Sequence, residues 1–199
     1  TLQRVAANTG SRIQVVERYN LDRASMQEKA TAIAAIVKQG SVNAVFIPDG
    51  GDATPFLAQI LAANGVTPVT IQYLGSGQWS DPRIRAESNL AGGWFPGPDP
   101  TGFQAFAARF KAAYGNEPVR NTSLAYDAVS LAIGLSSRLG AEGFTDKVLT
   151  NPSGFVGVDG AFRFTATGTN QRALAVFRME AGQPLVISPP PTSFSAAGL

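Results

Sequence analysis

The sequence predicts an α/β chain: an open, mainly parallel sheet with flanking helices that gives way to antiparallel strands near the carboxyl terminus. Three observations lead there. Between residues 12 and 74, short apolar runs alternate with longer segments whose apolar residues recur at helical spacing. The resulting order of strand, helix, strand, helix, strand is that of a parallel sheet with right-handed crossovers. The run Val45, Phe46 and Ile47 turns no polar residue toward water, which fits a central parallel strand covered on both faces better than an antiparallel one. Beyond residue 154 the texture changes to short apolar pieces separated by glycine-containing turns.

Taken in order, residues 1–10 (TLQRVAANTG) read as the last turns of a helix ending at Asn8 and Gly10. A strand over residues 12–17 follows, built on Ile13, Val15 and Val16. Ser25 with Glu28 three residues on has the form of a capping box. Met26, Ala30, Ile33 and Val37 then keep one helix face apolar until Gly40 closes it. After the strand at 44–47, Thr54 and Pro55 mark a helix start, because proline at the first helical position gives up an amide that has no partner there. Phe56, Leu57, Ile60 and Leu61 form its apolar stripe, and Asn64 and Gly65 end it.

Residues 70–74 (TIQYL) are the next strand, followed by a short helix or turn over 81–88 and an apolar piece at 93–95 broken by Pro96 and Pro98. Residues 101–114 form an amphipathic helix with Phe103, Phe106, Phe110 and Tyr114 on one face, expected in the core, and Gly115 stops it. Residues 121–139 are apolar on most sides, as in a helix packed between neighbours. A short helix at 144–149 leads to strands at 162–164, 173–179 and 185–187, with turns at 168–170 and 181–182. From residue 189 the chain is expected to be extended or loose.

Composition narrows the function. With 199 residues, 44% hydrophobic and 15% charged, the chain reads as globular, long enough for one large or two small domains. A formal charge of +2, with 16 basic residues scattered and no basic stripe, argues against nucleic acid as a partner. Cysteine and histidine are absent, which removes disulfides, thiol chemistry, the usual zinc sites and histidine-based acid–base catalysis, and leaves the compartment open. No apolar run approaches the roughly 20 residues of a membrane-spanning helix. Because the chain opens in mid-helix, it is expected to be a fragment whose upstream part includes a signal and a partner lobe.

Loop 48–52 (PDGGD) follows a strand and precedes a helix start, where open α/β sheets bind ligands. Its glycines allow close approach to the backbone, and Asp49 or Asp52 offers a carboxylate to an ammonium or hydroxyl group. A plain strand-to-helix turn with Asp52 near a positive helix end is the alternative. GSGQWS at 75–80 begins like a dinucleotide fingerprint, but Ser80 replaces the third glycine and Asp81-Pro82 turns the chain where a phosphate-binding helix would run on. Ser76, Gln78 and Trp79 are instead candidates to line a cleft, with ordinary packing the alternative for Trp79. Tyr126 and Asp127 read as a buried tyrosine with a bonded hydroxyl and a capping or solvated aspartate. Asn121-Thr122-Ser123 matches the short glycosylation pattern. No nucleophile has a recognisable base and no carboxylate set has metal spacing, so neither an enzyme nor a cofactor or metal is expected.

In order and spacing across nearly the whole chain, AVFIPDGGDATPFLAQILAANGV (44–66), YLGSGQW (73–79), AGGWFPGPD (91–99), FAARFKAAYGNEP (106–118), LAYDAVSLA (124–132) and GVDGAFRFTATGTNQRALAVFRMEAGQP (157–184) resemble type I periplasmic binding proteins of the branched-chain amino acid group. The GGDATPFL and LGSGQW stretches also resemble the solute-binding-like domain of penicillin-binding protein activator lipoproteins. The resemblance implies two α/β lobes joined by crossovers, with a ligand in the cleft between them. Residues 1–188 would be the carboxyl-terminal lobe with crossover segments, and 189–199 an extended tail. It implies a periplasmic solute-binding component of an ABC transporter for amino-acid transport, leucine-binding protein-like. Such a protein closes on a small polar ligand such as an amino acid and meets a membrane transporter. The alternative it implies is an activator that regulates peptidoglycan synthesis by contact with a cell-wall synthase, lipid-anchored through a missing amino-terminal segment. The family's amino-acid binders hold the ammonium with a carboxylate in the loop matching 75–78, where this sequence has Gly77 and Gln78. Their aromatic or hydroxyl group after the preceding strand falls near Gly51 and Asp52. The expected carboxyl-lobe wall is Asp49, Gly50, Gly51, Asp52, Ser76, Gln78 and Trp79.

Overall fold

A computed structural model describes residues 2–181 and 183–194, arranged as two compact units. The first unit comprises Thr1–Phe95 with Phe177–Leu185. Helix α1 (Leu2–Asn8) ends where the Thr9 and Ser11 amides bond back to the carbonyls of Val5 and Ala6, with Gly10 at φ +71°. The strand expected over 12–17 does not form. Residues 11–20 alternate between exposed and half-buried, as extended chain does, but no ladder bond of theirs occurs among the described residues. Alternation makes a chain extended; only a neighbour's amides and carbonyls make it a strand. Side chains hold this stretch instead: Gln14 donates to the Ser41 carbonyl (3.4 Å) and Tyr19 to Asp49.

Helix α2 (Arg23–Val37) is capped by Asp22, three residues before the expected Ser25, because the Asp22 carboxylate accepts from the Ser25 amide at 2.8 Å. It buries Met26, Ala30 and Ala34 and packs on α3 (Ala53–Ala63), whose inner face is Leu57, Ala58 and Leu61. Strand β1 (Ala44–Ile47) lies parallel to β2 (Gln72–Gly75), paired from Ala44↔Gln72 to Ile47↔Gly75. It is an edge strand, not the expected central one, and only Ile47 is buried. Its outer side is left open because residues 12–17 form no strand. Helix α3 starts one residue before Thr54, whose hydroxyl is turned back onto the Asp49 carbonyl, so Asp52 takes the cap position and Pro55 still falls among the amides without a helical partner. Short helix α4 (Pro82–Arg85) precedes β3 (Trp94–Gly97), which is parallel to β2 through Leu74↔Trp94. The core of this unit is a column of rings: Trp79 is 6.4 Å from Phe95, which stacks on Phe177 at 5.3 Å.

The second unit comprises Pro96–Val176 with Val186–Leu199. Helix α5 (Pro100–Tyr114) is capped by Asp99, which accepts from Thr101 at 2.8 Å, and ends at Gly115 with φ +79°. Its aromatic stripe is core only in part: Phe106 is buried, Phe103 and Phe110 are half-buried, and Tyr114 is 71% exposed. Helix α6 (Thr122–Leu139) is not enclosed as its composition suggests, since Val129 and Ile133 are 60% and 61% exposed. Helix α7 (Asp146–Leu149) leads into an antiparallel sheet of β4 (Phe155–Gly157), β5 (Gly160–Phe164) and β6 (Asn170–Arg172). Strands β7 (Ala175–Arg178) and β8 (Leu185–Ser188) complete a five-stranded sheet ordered β1-β2-β3-β7-β8. The chain passes between the units inside β3, β7 and β8. Of the expected turn at 181–182, Gly182 lies outside the described residues, as does the tail beyond residue 194; Phe194 itself is buried with Ala161 and Ala173.

Candidate functional site

Because β1 and β2 are parallel and Ile47 is level with Gly75, the loops that follow them leave side by side at one end of the sheet. Ser76 ties them. Its hydroxyl donates to the Pro48 carbonyl at 2.7 Å, and its oxygen caps the 3₁₀ turn Gly77–Ser80 by accepting from the Gln78 amide. The exposed Gln78 side chain lies across Gly50, where a Cβ would come within 2.6 Å of Gln78 Oε1, so glycine is what permits the approach. Gly51, at φ +57°, then turns the chain toward α3. The structure thus gathers Asp49, Gly50, Gly51, Asp52, Ser76 and Gln78 at one rim, where open α/β sheets hold ligands.

Trp79 does not join them at the surface. It is fully buried, with its indole N–H donating to the Ile47 carbonyl at 3.1 Å. A Cβ on Gly75 or Gly93 would sit 2.1 or 2.7 Å from its ring. Trp79 holds the rim up from beneath and offers a ligand no surface, the packing alternative of its sequence reading.

The two acids of loop 48–52 differ. Asp49 is half-buried; Tyr19 donates its hydroxyl to Oδ2, and Thr54, itself fully buried, donates to the Asp49 carbonyl at 2.5 Å. The Asp52 side chain is 95% exposed, caps nothing with its carboxylate and lies 3.6 Å from Arg83. Arg83 in turn bonds Asp81 at 2.9 Å. That bond and charge hold the Asp81 carboxyl below the usual range and raise the guanidinium further. Tyr19 and Thr54 are the rim residues that sequence reasoning missed. Tyr19 ends an extended stretch just before a helix cap, the same place Asp49 holds before α3, and that parallel was the available signal. Thr54 was read as a cap and is instead the clamp on Asp49.

The second unit holds a buried polar cluster of another kind. Arg120 grips Asp159 through two nitrogens (2.7 and 3.0 Å), Ser123 adds a bond at 2.8 Å, and Asp127 accepts from the Val158 amide at 2.8 Å. Burial alone would raise the Asp159 carboxyl, but the bonds from Arg120 and Ser123 and the charges of Arg120 and Arg172 outweigh it and hold it below the usual range. A Cβ on Gly157 would lie 2.3 Å from Asp127 Oδ2, so β4 presses directly on this carboxylate. The cluster therefore pins α6 to the β4–β5 turn. Asp127 is buried rather than solvated, and Tyr126 is 44% exposed, packed on Phe106 with Arg109 over its ring. A cavity of about 500 Å³ between α6, α7 and β5 is walled by Leu131, Leu135, Phe144, Leu149 and Phe164. Asp146, Thr150 and Thr165 also line it, with the Thr150 hydroxyl donating to the Asp146 carbonyl at 2.6 Å and the Thr165 hydroxyl bonded to those of Thr167 and Thr169. No group of three or more metal-ligating side chains occurs among the described residues.

A mainly parallel sheet with two glycine-containing loops at its strand ends, followed by antiparallel strands, defines the class of fold: mixed α/β. The chain belongs to the periplasmic binding protein family, whose model matches residues 1–184. No protein of curated function matches the sequence closely enough to count as a relative. Among solved structures it is similar to a leucine-binding protein from Thermotoga maritima, with 16% identity, TM-score 0.61, and 92% of this chain covering 53% of that one. A solute-binding protein of an ABC transporter from R. palustris, in complex with benzoate, gives 16% identity, TM-score 0.61, and 94% of this chain against 53% of that one. An ABC transporter substrate-binding protein from Desulfitobacterium hafniense gives 18% identity, TM-score 0.62, and coverage of 93% and 54%. The chain spans about half the length of these relatives.

Proposed function

We propose that the protein is a non-catalytic, periplasmic solute-binding component of an ABC transporter resembling those for branched-chain amino acids. It takes a small polar ligand at the rim formed by Asp49, Gly50, Gly51, Asp52, Ser76 and Gln78, with Trp79 as the buried support. The observation that carries this reading is the register Ile47↔Gly75 with the Ser76–Pro48 bond, which makes one continuous ledge of two glycine-containing loops. Family membership and the likeness to leucine- and benzoate-binding proteins support it. The membrane transporter is the partner this function requires.

The test is calorimetry on the full-length protein with a panel of amino acids and small aromatic acids. Saturable heat with at least one compound is expected, together with about a tenfold or greater loss in Gly50→Val, whose side chain would displace Gln78 from the ledge. Silence across the panel, with capture of a cell-wall synthase, would replace this function with the activator's.

A further inference from the structure

Apart from the β1–β2 rim, we infer that the second unit carries a site of its own for a medium-chain carboxylic acid, whose alkyl tail lies in the cavity between α6, α7 and β5 and whose carboxylate is received by Arg163.

The cavity has the size and the walls of a small-ligand site. Its volume of about 500 Å³ falls in the range of pockets that enclose such molecules, and its lining is mostly hydrocarbon. Leu131 and Leu135 of α6, Leu149 of α7 and Phe164 of β5 are each only half-buried, so an alkyl chain laid among them takes apolar surface out of water on both sides. A second pocket, of about 350 Å³, shares Thr150, Phe164, Thr165 and Ala166 with the first and adds Arg163 and Gln171. Together the two run from hydrocarbon to a cation, the pattern of an amphiphile with a negative head.

Arg163 is half-buried and held in place by neutral groups. Its Nε donates to Gln171 Oε1 at 2.7 Å, its Nη1 to the Pro152 carbonyl at 3.2 Å, and its guanidinium stands 4.6 Å from the centre of the Phe194 ring. None of these partners carries a negative charge, and no ion pair among the described residues includes Arg163. A guanidinium that is oriented but not neutralised gains most from a carboxylate, which it meets with charge-assisted hydrogen bonds. The hydroxyls nearby do not compete for that head: Thr150 spends its proton on the Asp146 carbonyl, and Thr165 is bonded within the set it forms with Thr167 and Thr169. Asp146, the carboxylate of the lining, is exposed, where water screens its charge.

The experiment titrates the full-length protein with hexanoate, octanoate and decanoate, each below its micelle concentration, and with octanol and octylamine. Saturable binding of the acids is expected, tightening about fourfold for each added methylene, with octanol and octylamine at least about 10-fold weaker than octanoate. Arg163→Gln is expected to weaken octanoate about 10-fold or more and to leave octanol unchanged. Ala128→Phe, at an exposed position of the α6 wall, is expected to weaken both by taking the tail's space, with an unchanged melting temperature. Gly50→Val, at the other site, is expected to leave octanoate binding as in wild type. No saturable binding of any acid, octylamine binding as well as octanoate, or Arg163→Gln binding octanoate as wild type does would overturn the inference and leave the solute-binding function untouched. Octanoate binding lost in Gly50→Val would also overturn it, and would place the acid at the β1–β2 rim instead.

Discussion

Trp79 shows how a fully buried residue shapes a surface loop from beneath. Its ring fills the space above Gly75 and Gly93, and its indole N–H satisfies the Ile47 carbonyl at the last position of β1. Trp79→Ala is expected to cost about 3–5 kcal/mol, as for other large-to-small changes at fully buried aromatics, and a denaturant titration reads this directly. Gly75→Ala attacks the same contact from the other side; with a Cβ 2.1 Å from the ring, it is expected to destabilise by about 2 kcal/mol or more. Gly75 of LGSGQW and Gly93 of AGGW turn out to be a tryptophan's berth. Sequence spacing could not show this because Gly93 reaches the ring from the position just before β3, 14 positions on in the chain.

At the scale of elements, most helices and the parallel strands were legible, because each carries its own period, cap or stop. Gly40, Gly65 and Gly115 all adopt positive φ where helices were expected to end. Two failures share one cause. Residues 12–17 and β1 have the apolar pattern of strands buried in a sheet, but pattern specifies a face and not a neighbour. The first stretch forms no ladder and the second becomes an edge. The short strands β4 and β6 were likewise invisible alone and exist through their pairing with β5.

The pin between α6 and the β4–β5 turn yields a pH prediction. The folded carboxyl of Asp159 sits below its unfolded value, so its contribution is full above that unfolded value and is lost as pH falls through the folded one. Asp159→Asn should therefore lower stability at neutral pH by about 2–4 kcal/mol, discounted because the Arg120 side chain is half exposed, and should flatten the fall of stability below about pH 4. Melting curves of both proteins from pH 3 to pH 7, spanning the carboxylate range, check this. By contrast, Ile133→Ser, at a residue 61% exposed, is expected to change the stability of this chain by no more than about 0.5 kcal/mol.

For the whole molecule, the fold class was readable because alternation of strand and helix is a long-range regularity that individual errors do not erase. Its division into two units, with the chain passing between them inside three strands, was not readable, since Pro96 marks one of those positions and nothing marks the crossings at 176–177 and 185–186. The rim was half legible: the loops announced themselves by glycine and by their place after strands, whereas Tyr19, 30 residues from Asp49 in sequence, comes to it only through folding. The most direct measurement of the central claim is an amide-resolved NMR titration of the full-length protein with L-leucine. Shifts concentrated at Gly50, Gly51, Gly77 and Gln78 are the expected result. Shifts that leave these four amides unmoved while clustering in another part of the molecule would contradict the assignment of the β1–β2 rim as the place where ligand is held.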